Sequence, residues 1–333
     1  MEPVYPSDPT TFSWQGQPPP PPRPWKSYLF HASLFLLTFI TTTLAGVLWL
    51  LKDPFELSNF PAGFPYSLSL LAILTAHEFG HYFAARRYHI PTTLPYFIPM
   101  PPFLINLFGT MGAVIRIRGA IGTRKQLFDI GAAGPIAGLI VTLGVLALGM
   151  ATLPPISYLY GIHPEYIGLS AIPNGGLTFG SSLFFRGFLR LFAHGRFIPP
   201  MNEIYHYPYL CVGWFGLFIT AMNLIPVGQL DGGHILYSMV GRRQGLIAKI
   251  CFGILILIGL VAFIPAFGSH IQLGTLGWLI FAVILFFVIK LNHPEIHDPE
   301  PLDSSRTFLG WILMALFILI FTPVPFYEIS PAP

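Results

Sequence analysis

Residues 75–81 read TAHEFGH and place two histidines and a glutamate in an otherwise apolar segment. On a helix, positions i and i+4 share a face, so His77 and His81 could bind one zinc ion from successive turns. Glu78 would then lie beside the open coordination position, as general base for a zinc-bound water. This spacing predicts hydrolase chemistry.

A plainer interpretation of these residues also has to be weighed. A His-Glu-x-x-His pattern has only three fixed positions, and an isolated histidine on an apolar face is usually a hydrogen-bonded core residue. The apolar setting favours zinc, because an ionisable group at membrane depth is costly and generally marks function. A zinc site still requires a third ligand.

The second informative stretch, residues 223–234, reads NLIPVGQLDGGH. One proline and three glycines break the helix there, which is tolerated at membrane depth beside a cavity. Asp231 is the sole acid between Glu203 and Glu295, so it is the carboxylate available to complete a His-His-Asp site. His234 is a competing ligand. Alternatively, Asp231 could cap the next helix, although a cap would not account for the break before it.

The composition is that of an integral membrane protein. Of 333 residues 53% are hydrophobic and 9% charged, against about 25% charged in soluble proteins. We predict an all-α polytopic membrane protein with about seven transmembrane helices in a lipid bilayer, plus a small membrane-associated β-hairpin. The predicted spans are residues 28–51, 64–85, 127–153, 209–227, 246–267, 273–289 and 307–321.

Charge and cysteine content exclude other classes. A net charge of +3 is small for this length and indicates no nucleic-acid partner. The two cysteines, Cys211 and Cys251, lie in apolar runs, which excludes a disulfide framework and a cysteine-rich metal site. We expect both to fill the core. The sequence leaves the oligomeric state unknown.

The chain divides into four predicted parts. Residues 1–27 are a proline-rich, disordered arm, and residues 28–53 form the first transmembrane helix. Residues 64–242 form the catalytic core that carries both motifs, and residues 243–333 the C-terminal transmembrane helices.

Two segments after the zinc helix do not fit a membrane span. Residues 91–102 contain five prolines and are predicted to be loop. Residues 103–117 read as two β-favouring runs around a turn at 109–112, which predicts a hairpin dipping into the membrane; a plain interfacial loop is the alternative.

Three further segments are predicted to support the core. The small residues at 131–138 should pack a helix against the zinc helix. In the long connection 154–208, too short for a PDZ module, residues 181–193 look like an amphipathic interfacial helix. His293 and His297 lie on a polar, acidic loop that is more often solvated than metal-binding, so we assign no site there.

The basic residues predict an orientation. With a cytoplasmic amino terminus, all except Lys52, Arg186, Arg190 and Arg196 fall on the cytoplasmic side, which is 13 of 17. This places the zinc site near that side. The start of the chain lacks the Arg- and Ser-rich character of a transit peptide, so we expect a bacterial plasma membrane.

With both motifs in view, the chain resembles the site-2 protease family of intramembrane zinc metalloproteases. The resemblance is carried by HEFGH at 77–81 and by Asn223-x-x-Pro226 followed by LDG at 230–232. The family's order also matches, with a His-Glu-x-x-His helix, a hairpin, a Gly-Pro helix and an Asp-Gly helix between residues 64 and 234. Gly134-Pro135 and residues 321–326 resemble the subgroup of plant chloroplast members and their bacterial relatives.

The resemblance implies roles for particular residues. His77, His81 and Asp231 would bind zinc, Glu78 would act as base, and Asn223 would hold the substrate strand or the oxyanion. Substrates would be transmembrane proteins, cut in or near the membrane to release a regulator or clear a remnant peptide. The hairpin could offer an edge strand to an unwound substrate.

Two other functions remain open at this point. A membrane protein that carries zinc structurally or transports metal would need the ligands but would have no use for Glu78. An inactive relative could act as a binding scaffold, although the intact base and both ligand motifs count against this.

Overall fold

The computed structural model describes residues 24–102, 108–263, 275–296, 298 and 300–329. Most of the predicted proline-rich arm therefore lies outside the described residues, as does His297. The first helix begins at Pro24, four residues before the predicted first span.

The described chain is mostly helical, with two small antiparallel sheets. Its α-helices are α1 (Pro24–Trp49), α2 (Phe64–Arg87), α3 (Arg124–Ala151), α4 (Ile156–Ile162), α5 (Leu183–Phe192), α6 (Pro208–Leu224), α7 (Asp231–Val240), α8 (Gln244–Val261), α9 (Gly277–Ile284) and α10 (Ser304–Ile320). Its strands are β1 (Tyr96–Pro99), β2 (Thr110–Val114), β3 (Gly176–Phe179) and β4 (Phe326–Ile329).

Seven spans are not confirmed. In the part of the chain described, four helical stretches are long and apolar enough to cross a membrane: Trp25–Trp49, Leu57–Arg87, Arg124–Ala151 and Asp231–Val261. Three predicted spans correspond to shorter apolar helices, Pro208–Leu224, Gly277–Ile289 and Ser304–Ile320. A 17-residue helix such as α6 rises about 25 Å, against about 30 Å for a hydrocarbon core, because the break after Leu224 ends it early.

The zinc helix α2 packs against α3 through small residues, as predicted. A Cβ on Gly80 would lie 2.5 Å from the Ala133 carbonyl oxygen, and Cβ atoms on Gly134 and Gly138 would reach His81 and His77. Such distances leave no room for larger side chains, so the glycines let the two backbones approach closely.

The loop and hairpin predictions for residues 91–117 are partly wrong. Residues 96–99, predicted as loop, form β1, which pairs antiparallel with β2. Proline is tolerated at a strand end or a bulge, and the register shifts between Phe97 and Pro99. The connection between the strands therefore spans residues 100–109, of which 103–107 lie outside the described residues.

The long connection 154–208 contains α4, β3 and α5. The predicted helix at 181–193 is confirmed as α5, whose N-cap Ser182 accepts a hydrogen bond from the Phe185 backbone N–H. Its interfacial position stays a prediction. The pairing of β3 with β4 was not foreseen, and it ties this connection to the C-terminal tail.

Aromatic residues form the centre of the core. Phe179, Trp214, Phe215 and Phe326 have ring centroids 4.9 to 6.5 Å apart, and the Trp214 Nε1–H donates to the Gly180 carbonyl at 2.6 Å. Cys211 is fully buried within the same core, as expected, whereas Cys251 is only partly buried. This core fixes α6 between α3 and the β3–β4 sheet.

Candidate metal centre

The helix α2 presents His77, Glu78 and His81 on buried surface. Their exposed fractions are 5%, 6% and 7%. Pro65 lies in the first turn of α2, where its missing N–H costs nothing, and Arg86 and Arg87 lie in the last turn, where cations complement the helix dipole. Both ends of the segment therefore favour helix formation, although its middle holds polar groups.

Asp231 completes a tight triangle with the two histidines. The Nε2 atoms of His77 and His81 lie 3.1 Å apart, and Asp231 Oδ2 lies 3.3 Å from each of them. Tetrahedral zinc with bonds of about 2.0–2.2 Å separates its ligand atoms by about 3.3–3.5 Å. The three donor atoms therefore fit one zinc ion.

A hydrogen bond fixes the tautomer of His81. Its Nδ1 lies 2.7 Å from the Ile130 carbonyl oxygen, which can only accept, so Nδ1 carries the proton. The lone pair of Nε2 then points at His77 and Asp231. Metal-binding histidines are oriented in this way by a carbonyl or carboxylate behind them.

The break between α6 and α7 delivers Asp231 to this position. Gly228 adopts φ +55°, and Cβ atoms on Gly232 and Gly233 would lie 2.0 Å from the Leu224 oxygen and 2.3 Å from the Gly228 oxygen. Asp231 is the first residue of α7, after the N-cap Leu230, and no side-chain capping bond is made there. The capping alternative for Asp231 therefore has no support in the geometry.

The competing candidate, His234, faces another partner. Its Nδ1 lies 2.8 Å from Nε2 of His293, although its side chain also lines the pocket beside the two α2 histidines. The structure thus brings Asp231, rather than His234, into the donor triangle.

An open pocket of about 270 Å³ gives access to this centre. Glu78 and Asn223 line it together with residues 113–115 at the carboxyl end of β2. The Ile115 backbone N–H donates to the Glu78 carboxylate, and Asn223 Nδ2 lies 3.3 Å from His77 Nε2. A base, an amide and a strand end therefore surround the donor triangle.

Three contacts of this site were missed by reasoning from the sequence. They are the Ile130 carbonyl behind His81, the Ile115 N–H on Glu78, and His293 against His234. The first two are backbone groups, which carry no residue-type signal. His293 was considered as a metal ligand, but the polar, acidic composition of its loop favoured exposure to solvent instead.

Two imidazoles, a carboxylate and a neighbouring glutamate at an open pocket are the side chains that a zinc-dependent hydrolase requires. The family comparison agrees. The model for peptidase family M50 matches residues 65–265, and the chain belongs to that family, the site-2 protease family. This confirms the predicted family, and with it the expectation of zinc.

Plant proteins are similar along most of the chain. One is named "Probable zinc metalloprotease EGY2, chloroplastic" in Oryza sativa subsp. indica, and is 29% identical over 307 residues, which are 89% of this chain and 50% of the relative. In Arabidopsis thaliana, proteins of the same description named EGY2 and EGY1 are 28% and 27% identical over 79% of this chain and 42% and 43% of their own length. The chain thus spans about half the length of these relatives.

The predicted location in a bacterial plasma membrane is wrong. The relatives that match most of this chain are chloroplast proteins by name, which overturns it. The cytoplasmic placement of the site depended on that location and falls with it.

Proposed function

We propose that this protein hydrolyses a peptide bond in or near the transmembrane segment of membrane-protein substrates. The observation that carries the proposal is the donor triangle of His77, His81 and Asp231, within 3.3 Å of one another beside an open pocket. Two of its members lie on a helix apolar enough to cross a membrane. The scissile bond would therefore be reached within or close to the bilayer.

The proposed chemistry divides between the metal and Glu78. Zinc held by the three side chains would acidify a water molecule and polarise the scissile carbonyl. Glu78 would take the proton from the attacking water at a carboxylate oxygen and pass it to the leaving nitrogen. The Ile115 N–H bond to Glu78 supports this role, because it orients the carboxylate toward the pocket without neutralising it.

Residues 113–115 are the proposed docking edge for the substrate. A helical peptide bond is shielded by its own hydrogen bonds, so the substrate must be extended before hydrolysis. A strand laid beside β2 would be held extended by main-chain hydrogen bonds. Asn223, whose amide nitrogen lies 3.3 Å from His77 Nε2, would donate to the substrate carbonyl.

The arrangement of Glu78 favours an enzyme over a zinc carrier. Zinc transport or structural zinc needs the three ligands only. A buried carboxylate held by a backbone N–H at the pocket has no role in either.

The ligand assignment is tested by comparing Asp231→Ala with His234→Ala. The first removes a donor atom and should lower the zinc content of purified protein by one ion per chain, with loss of proteolysis. His234→Ala should retain the zinc content of the wild type. Retention of zinc by Asp231→Ala together with its loss from His234→Ala would assign the third ligand to His234 and refute the proposal as stated.

A further inference from the structure

A second group of metal-ligand side chains lies away from the zinc pocket. His163 follows α4, while Glu203 and His206 lie just before α6. The Nε2 atoms of the two histidines are 3.1 Å apart, and Glu203 Oε2 lies 3.5 Å from each of them. These separations are nearly those of the His77, His81 and Asp231 triangle, and they match the edges of a tetrahedral zinc site.

With neutral imidazoles, the hydrogen bonds behind these histidines leave no proton between the two Nε2 atoms. His206 Nδ1 lies 2.9 Å from the Trp49 carbonyl oxygen, which can only accept, so this nitrogen carries the proton. His163 Nδ1 lies 2.9 Å from the Glu165 carboxylate, which accepts in the same way. The two Nε2 lone pairs therefore point at each other.

Among the described residues, the Glu203 carboxylate has no ion pair with Arg or Lys. Glu203 is 2% exposed, and its Oε1 accepts from the Tyr166 hydroxyl and the Asn202 amide, each at 3.0 Å. Its Oε2 is buried and has no hydrogen-bond partner among the described residues. An unpaired buried carboxylate oxygen facing two lone pairs is unfavourable unless a cation lies between them.

We propose that His163, Glu203 and His206 bind a second zinc ion. The cation would meet all three unpaired donor atoms, and two imidazoles with one carboxylate are a donor set that suits zinc. Behind the ligands, the Trp49 carbonyl and the Glu165 carboxylate would orient the imidazoles, as partners of metal-binding histidines do.

The position of this second site indicates a structural role. Counting residues along α6, His206 lies about 25 Å from Asn223 at the catalytic centre, so the two sites lie at opposite ends of one helix. The second ion would join the end of α4 to the start of α6, with the end of α1 attached through Trp49. It would thereby hold the connection 154–208 against the helices that carry the catalytic site.

Metal analysis of tag-free, detergent-purified full-length chain tests the proposal. Wild type should contain two zinc ions per chain, His163→Ala one, His81→Ala one, and the double variant none. Glu203→Gln keeps the shape of the side chain but removes its charge, and it should also lose one ion. Two control variants, His194→Asn on an exposed turn and Tyr166→Phe beside Glu203, should keep both ions.

A stability measurement separates metal binding from simple packing. A chelator should lower the Tm of His81→Ala, which retains only the second ion, but should leave the Tm of the double variant unchanged. The proposal is overturned if wild type holds a single ion that both His163→Ala and Glu203→Gln retain. This inference does not depend on the proposed function. If wild type held one ion, retained by His163→Ala and Glu203→Gln but lost from His81→Ala, the second site would be refuted and the proposed catalytic site would stand.

Discussion

Replacing Gly134 by alanine should remove zinc from the proposed metal centre although none of its ligands is replaced. An added Cβ would lie 2.0 Å from His81 Nε2, 2.4 Å from its Cε1 and 2.5 Å from its Cδ2, whereas ordinary contacts begin at 3.4 Å. The ring must therefore move by about 1.4 Å, while the bond from zinc to histidine nitrogen is only about 2.0–2.1 Å long. A displacement of that size breaks the bond, so we expect zinc affinity at this centre to fall at least about 100-fold.

Two other glycines of α3 provide matched controls. A Cβ on Gly144 would meet no described atom within 4 Å, and alanine there should stabilise the helix by up to about 1 kcal/mol. A Cβ on Gly138 would lie 3.2 Å from the His77 Cβ, which requires an adjustment of a few tenths of an ångström. Zinc titration of purified variants, with Tm as the folding check, should rank Gly134→Ala far below Gly138→Ala and Gly144→Ala. A folded Gly134→Ala variant with wild-type zinc affinity would refute this reading of the helix contact.

Two further changes test the docking edge and the packing of α10. N–H groups alternate between the edges of a strand, so only one of Ala113 and Val114 directs its N–H away from β1. Proline at that one of the two residues should reduce cleavage of a co-expressed substrate while bound zinc stays unchanged. Normal cleavage by both proline variants would exclude docking there. Arg306 donates to both oxygens of Asp129 at 2.7 and 2.8 Å in a partly exposed pair. Arg306→Ala should therefore lower the free energy of unfolding by about 1–2 kcal/mol, and Arg306→Lys should have an intermediate effect. An unchanged Tm would show that the pair contributes little.

The clustering of His77, His81 and Asp231 was largely predictable because these residue types are rare in apolar surroundings. The i,i+4 spacing of His77 and His81 placed both on one helix face, and the scarcity of acids singled out Asp231. Pro226 and Gly228 indicated the helix break that positions Asp231. Each of these signals is local, or depends on the cost of a polar group at membrane depth.

Long-range pairing was not predictable from local patterns. The strand β1 lies within a run of prolines, and β3 pairs with β4 almost 150 residues later in the chain, so neither pairing leaves a nearby signature. The second ligand cluster has the same character. Glu203 and His206 are three residues apart, but His163 is 40 residues earlier, and only the folded chain brings them together.

The number of spans was not confirmed, for a different reason. Apolar runs were counted, but helix length decides whether a segment crosses a bilayer. Helix α6 ends at Leu224 because of the break before Asp231, and α7 continues through a short turn, Gly241–Arg243, into α8 as one long apolar stretch. The same prolines and glycines that position Asp231 therefore also shorten α6.

The central claim is that Glu78 generates the nucleophile while three other side chains hold the metal, and Glu78→Gln tests it most directly. Glutamine has the size and shape of glutamate but cannot accept the proton from the attacking water. Zinc stoichiometry should equal that of wild type, and cleavage of a co-expressed transmembrane substrate should fall at least about 100-fold. Normal cleavage by Glu78→Gln, or loss of zinc together with activity, would contradict the account.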